Sequence, residues 1–139
     1  MKNPNILEQI RKYAIEIPDV IAVINPYSTQ VQLSYRELYV KASLLAKYID
    51  RNVNDKNPIV VYGHKNPYML VCFLACVMSG HAYCPVDISM PNERISMILE
   101  QTESSLVFAL EPYETEKTRV IPLEKVVEIC KESSRNDIL

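Results

Sequence analysis

The sequence predicts an α/β domain, a mostly parallel sheet with flanking helices. Three observations carry that reading. Pro58–Gly63 is a short, almost wholly apolar run, the composition of a strand covered on both faces. The next segment, Pro67–Ser79, has no charged residue on any side, so its helix has to be covered on more than one side. Ala82–Val86 then returns as a second strand, which makes strand, helix and strand a right-handed βαβ unit.

The other elements follow in chain order. Asn3 as cap and Pro4 at the first helical position predict a helix from Pro4 to about Glu16, with Ile6, Ile10, Tyr13 and Ile17 on one stripe. Val20–Ile24 reads as a strand, Asn25–Ser28 as a turn, and Val31–Leu33 as a short hairpin partner. Ser34-Tyr35-Arg36-Glu37 is a capping box, in which the Ser hydroxyl and Glu carboxylate each satisfy the other's backbone N–H. Leu33 and Leu38 flank it as a staple. Leu38, Ala42, Leu45 and Ile49 carry the buried face of that helix to about Asp50. Gly80 is placed to end the charge-free helix. Pro91 opens another helix, with Ser89 or Met90 at its cap and Ile95, Ile98, Leu99 and Thr102 facing inward. Leu106–Leu110 and Arg119–Pro122 read as strands around a polar loop at Glu111–Lys117. Leu123, Val126, Val127 and Cys130 form a final helical stripe, and residues 131–139 a polar tail.

Composition narrows the function classes. The chain has 139 residues, enough for one domain or part of a larger one, with 48% apolar and 23% charged residues. Its 15 basic and 17 acidic side chains are scattered, so neither a nucleic-acid surface nor a basic membrane anchor is expected. The apolar run Pro67–Met78 is 12 residues, too short to span a bilayer, and the N-terminus leads into an amphipathic pattern. A cytoplasmic protein with reduced thiols at Cys72, Cys76, Cys84 and Cys130 is the expectation.

Candidate chemistry is sparse. Gly63 and Gly80 are the two glycines of the chain, and neither belongs to a phosphate-loop motif; a strand-end turn and a helix cap account for them. Cys72, Cys76, His81 and Cys84 have a spacing that suggests zinc, but Phe73, Leu74, Ala75, Val77 and Met78 between them belong in a core. Cys84 near His81 is the one weak candidate for a reactive thiol. His64 and His81 are possible acid–base groups, with no acid at a fixed offset to orient either. Asp87 and Arg94 read as a local ion pair bracing a turn, and Glu111, Glu114, Glu116 and Lys117 as a solvated loop. No nucleophile, base and orienting group assemble, so no catalytic, cofactor-binding or metal residue is expected in this chain.

Two elements nevertheless resemble a known family. Leu33-Ser34-Tyr35-Arg36-Glu37-Leu38 is similar to an L-[ST]-Y-x-E-L element. Gly80-His81-Ala82-Tyr83-Cys84-Pro85-Val86-Asp87, followed by Pro91-Asn92-Glu93-Arg94-Ile95, is similar to G-x-A-Y-x-P-[LIV]-D…P-x-x-R-[IL]. Both belong to the N-terminal part of the adenylate-forming superfamily. Within it, Tyr62–Met69 and Gly80–Tyr83 are worded most like the ligases that load D-alanine onto a carrier protein; peptide-synthetase adenylation domains usually show Gly where His81 stands.

The resemblance implies residues 1–130 as an incomplete N-terminal part of an AMP-binding adenylation domain. It implies a complete enzyme that uses ATP and Mg²⁺ to form D-alanyl adenylate. The acyl group then passes to the phosphopantetheine thiol of a carrier protein, for D-alanylation of teichoic acids. The family's phosphate loop and catalytic lysine lie downstream of any residue present, so this chain alone is expected to be inactive and to bind no cofactor. Its expected partners are the remainder of the ligase and, for the complete enzyme, the D-alanyl carrier protein. Two alternatives remain: a fragment of a peptide-synthetase adenylation domain, and a non-catalytic module that pairs, as a homodimer or with a partner, through exposed apolar surface.

Overall fold

A computed structural model of the protein describes residues 5–24 and 32–131. Asn5 caps the first helix, α1 (Ile6–Glu16), its side-chain oxygen accepting from the Glu8 N–H at 2.8 Å. The cap is therefore Asn5 and not the expected Asn3, and the helix begins at Ile6 rather than Pro4; the turn at Asn25–Ser28 and the tail beyond Lys131 lie outside the described residues. The expected stripe on α1 is only partly correct. Ile10 is buried, but Ile6 is 61% exposed, and Tyr13 and Ile17 are also exposed. The reason is geometric: α1 lies as an outer layer, and Ile10 and Ala14, one turn apart, are the residues it buries.

A small antiparallel pair follows, β1 (Ile21–Ile24) with β2 (Gln32–Ser34), Val23 opposite Leu33. Ser34 ends β2 and starts α2 (Tyr35–Asn52) through the predicted capping box. The Glu37 N–H donates to Ser34 Oγ at 3.1 Å, and the Ser34 N–H donates to Glu37 Oε1 at 3.0 Å. Leu38, Ala42, Leu45 and Ile49 are all buried, as their spacing requires.

The main sheet has four parallel strands. These are β3 (Ile59–Gly63), β4 (Tyr83–Asp87), β5 (Leu106–Ala109) and β6 (Arg119–Pro122), in spatial order β4-β3-β5-β6. The connecting helices are α3 (Pro67–Met78) between β3 and β4, and α4 (Asn92–Thr102) between β4 and β5. After β6 comes α5 (Leu123–Ile129). Strand alternation sorts the core into two clusters. Ile59, Val61, Leu106 and Phe108 face α2, α3 and α5; Val60, Tyr62, Val86, Val107 and Ala109 face α4 through Ile95 and Leu99. The sheet is therefore covered on both sides, which its apolar strands demand.

A second helix start also departs from expectation. The α4 cap is Pro91, not Ser89 or Met90, and makes no side-chain cap bond; Ser89 is occupied elsewhere. By contrast α3 ends as its sequence predicts: Gly80 follows it with φ +79°, and the Lys56 ammonium donates to the Ser79 carbonyl at 2.8 Å. Most of α3 is covered by α2 and the sheet. One flank is not: Val77 and Tyr83 are exposed, and the half-buried Phe73 ring stacks on Tyr83 at 4.4 Å between centroids.

Candidate functional site

In an open α/β sheet, the place for a ligand is outside the carboxyl ends of the strands, where successive connections part in opposite directions. Here that point lies between β3, which leads to β4 on one side, and β5, which leads to β6 on the other. The crevice is sealed. The Leu110 N–H donates to the Tyr62 carbonyl at 2.8 Å, and a Cβ added to Gly63 would stand 3.0 Å from Leu110 Cβ and 3.4 Å from Met69 Sδ. Gly63 thus gives close approach to a leucine side chain rather than to a phosphate. Gly80, at the other end of the strands, gives a positive-φ turn. The ATP and Mg²⁺ implied by the family resemblance find no cradle of backbone donors at either glycine. Among the described residues no three His, Cys, Asp or Glu side chains gather for a metal.

Two open clefts flank the sealed crevice. One, about 390 Å³, lies beyond β5 and β6 and is lined by Leu110, Glu111, Tyr113, Pro122 and Glu124. The other, about 400 Å³, lies beyond β3 and β4 and is lined by Gly63, His64, Met69, Pro85, Val86 and Asp87.

The second cleft holds a pairing that linear spacing concealed. His64 Nδ1 and Asp87 Oδ1 are 2.8 Å apart, although 23 residues separate them in sequence. Parallel register does this: Gly63 is level with Asp87, so the residue just past β3 meets the last residue of β4. The other oxygen, Asp87 Oδ2, accepts from the Ser89 hydroxyl at 2.6 Å and from the Ser89 N–H at 3.1 Å. The Ser89 bonds, and then the His64 imidazole, hold the Asp87 carboxyl well below the usual carboxylate range. The carboxylate's partners at this turn are therefore Ser89 and His64, and the expected ion pair with Arg94 does not form, since both Asp87 oxygens are already taken. An aspartate ending one strand and a histidine just past its parallel neighbour are the sequence signal that predicts such a pair.

The remaining candidates are scattered. His81 is 3% exposed, with Nδ1 2.7 Å from the Asn57 carbonyl and Nε2 without a partner; it lies on the amino-end side of the sheet. Because a carbonyl only accepts, Nδ1 carries the proton. Cys72, Cys76 and Cys130 are buried free thiols. Burial pushes the thiols of Cys76 and Cys130 up to about 12 and Cys72 well above the ordinary range, so all three stay protonated and inert. Cys84 is half-buried against the α4-side cluster and its pKa is also raised by desolvation, which corrects its reading as a candidate reactive thiol. Glu111, Glu114, Glu116 and Lys117 are solvent-exposed or nearly so, in keeping with a solvated loop.

Comparison with known proteins agrees with this framework. A family model described as AMP-binding enzyme matches residues 10–138. The D-alanine–D-alanyl carrier protein ligase of Bacillus cereus (strain AH187) is 37% identical over 134 residues, 96% of this chain and 25% of that protein. The enzyme of the same name from Bacillus licheniformis is 42% identical over 103 residues, 73% of this chain and 20% of that one. The chain therefore spans about a quarter of the length of these relatives. Among solved structures, the Klebsiella oxytoca NpsA N-terminal subdomain, in complex with 3-hydroxybenzoyl-AMSN, superimposes with a TM-score of 0.73 at 20% identity. That match covers 95% of this chain and 33% of the other. VinN in complex with L-aspartate gives a TM-score of 0.78 at 13% identity, covering 91% and 37%. These two likenesses show the fold.

Proposed function

This chain belongs to the AMP-binding enzyme family of adenylate-forming ligases, and from that premise we propose that it is the N-terminal part of a D-alanine–carrier protein ligase. The observation that carries this reading is the 37% identity sustained over 134 residues with a ligase of that name. The complete enzyme would activate D-alanine with ATP, in the presence of Mg²⁺, as D-alanyl adenylate. It would then pass the acyl group to the phosphopantetheine thiol of its carrier protein, in support of teichoic acid D-alanylation. A supply of ATP sets that reaction in the cytoplasm. No helix among the described residues is long and apolar enough to cross a membrane.

In this reading residues 1–130 are framework and 131–139 a polar tail. The α/β layer supports a sheet whose β4 edge and α3 flank continue into the rest of the enzyme. The uncovered Val77, Phe73 and Tyr83 favour such a continuation, since contiguous apolar side chains at a sheet edge ordinarily meet a partner. No step of ATP chemistry is assigned to these residues, because neither glycine offers a phosphate site.

The test is amino-acid-dependent ATP–pyrophosphate exchange. The complete ligase carrying this chain is expected to exchange with D-alanine in preference to L-alanine and other amino acids, and the 139-residue chain alone to stay at background. Preference for another amino acid would overturn the substrate assignment, and turnover by the isolated chain would overturn its role as framework.

A further inference from the structure

We propose that the bare apolar surface at the end of α1 and the start of β1 is a second internal interface of the complete enzyme, covered by an apolar segment of the remainder of the ligase; the inference rests on the ligase reading above. The exposed large apolar side chains of the described residues are concentrated here. Ile6, Tyr13 and Ile17 follow helical spacing beside the buried Ile10, so the apolar stripe of α1 is wider than the strip that α2 covers. A tight turn carries the surface on into β1. The Ile17 N–H donates to the Tyr13 carbonyl at 2.8 Å and the Val20 N–H to the Ile17 carbonyl at 3.2 Å, which keeps the exposed Val20 and Ile21 beside the end of the stripe.

The surface is held in shape from below. The Tyr13 ring packs on Tyr35, centroids 5.1 Å apart, and the Tyr35 N–H donates to the Val20 carbonyl at 3.0 Å, so both halves are tied to the first turn of α2. Glu8, Arg11 and Lys12 lie on the opposite side of α1 by helical spacing, and Asp19 in the turn is the acid at the rim. Among the described residues β1 and β2 pair only with each other, and a two-stranded ribbon is marginal without further cover.

Two arguments assign the cover to the same polypeptide and not to a second copy. Five partly bared side chains are few against the roughly 20–30 residues a side of a stable dimer, whereas a segment of one chain avoids the cost of association. The surface is also one of two. Val77 and Tyr83 are bare on the far flank of α3, with α2 and α3 between them and α1. A two-fold dimer through either surface leaves the other bare. A relative of which this chain matches 25% has polypeptide enough to cover both. The remainder of the ligase then holds the α1–α2–α3 layer from both sides, which makes α1 an integral part of the enzyme.

Thiol labelling of the complete ligase decides it. Ile17→Cys and Ile21→Cys are compared with Lys12→Cys, on the charged face of α1, in reaction with a water-soluble maleimide at low and high protein concentration; the wild type gives the background of native thiols. Positions 17 and 21 are 39% and 42% exposed in this chain, so the smaller side chain strains neither. ATP–pyrophosphate exchange on the same samples shows that each variant is folded. Ile17→Cys and Ile21→Cys should label at least ten times more slowly than Lys12→Cys at every protein concentration, and equally fast once the enzyme is unfolded in urea. Labelling as fast as Lys12→Cys in the folded enzyme would overturn the proposal. Protection that appears only at high concentration, together with the mass of a dimer, would overturn it in favour of a second copy. If the wild type exchanges with an amino acid other than D-alanine, the substrate reading falls, while the labelling still decides the interface.

Discussion

Substituting Gly63 by Ala is the sharpest probe of how the sheet is closed at its carboxyl end. The new methyl would sit 3.0 Å from Leu110 Cβ, tighter than packed carbons ordinarily lie, and 3.4 Å from Met69 Sδ, close to ordinary contact. Methionine can swing aside, but Leu110 Cβ belongs to a chain segment tied to β3 through the Tyr62 carbonyl. Forcing a methyl into a filled core costs about 1–3 kcal/mol. Gly63 has no positive φ, so alanine would otherwise stabilise by about 0.4–1 kcal/mol through the unfolded chain. The net expectation is a loss of about 1–2 kcal/mol. With a urea slope of roughly 1–3 kcal/mol per molar, the unfolding midpoint should fall by about 0.5–1 M. Leu110→Ala should cost about 2–5 kcal/mol on its own, since it empties a buried site. Because alanine keeps the Cβ that meets the new methyl, Gly63→Ala should stay destabilising in that background, and only Leu110→Gly, which removes that Cβ, should make it neutral or stabilising, so it is that pair which is non-additive. A midpoint unchanged or raised by Gly63→Ala in the wild-type background would refute the sealed crevice, and with it the argument that this glycine does not serve a phosphate.

Two further expectations concern backbone strain and acid. Glu103 ends α4 with φ +53°, and Gly80 follows α3 with φ +79°. Glu103→Gly should therefore raise the melting temperature by a few degrees, about 0.5–1 kcal/mol. Gly80→Ala should lower it comparably although Lys56 atoms no nearer than 3.7 Å leave room, because the penalty there is in the backbone. Asp87 and Asp55 both have depressed carboxyl pKa values, Asp87 through Ser89 and His64, Asp55 through the Ser105 hydroxyl and then the Asn57 N–H. A depressed folded pKa gives stability that is complete above the unfolded value of about 3.9 and is lost as pH falls below it. Thermal unfolding of Asp87→Asn and Asp55→Asn followed from pH 6 to 2 should show a flatter acid limb than wild type; an identical limb would contradict these bonds.

Much of the framework is legible in the order of the residues. The capping box at Ser34 and Glu37 is local chemistry, three residues apart, and both of its bonds form. The apolar β3 run and charge-free α3 imply a buried parallel layer, because backbone groups and side chains on both faces have to be satisfied within the protein. The turn at Gly80 follows from the one residue type that takes positive φ without strain. The α1 stripe fails because periodicity shows that a face is apolar and not how wide a partner will cover it; α1 buries only Ile10 and Ala14. The two elements at Leu33–Leu38 and Gly80–Ile95 also carry the family resemblance.

Contact between segments is what the linear chain leaves open. Cys84 loses its candidacy because packing against the α4-side cluster raises its pKa. His64 has no partner nearby in sequence, and only the register of two parallel strands sets Asp87 beside it. Asp87, which proximity in sequence assigns to Arg94, instead bonds to Ser89 and His64. Hydrophobic spacing and capping act within a few residues, so sequence alone determined the helices, the buried strands and the scarcity of ligand-binding motifs. Strand order and register join residues that are far apart in the chain, and those the tertiary structure alone decided.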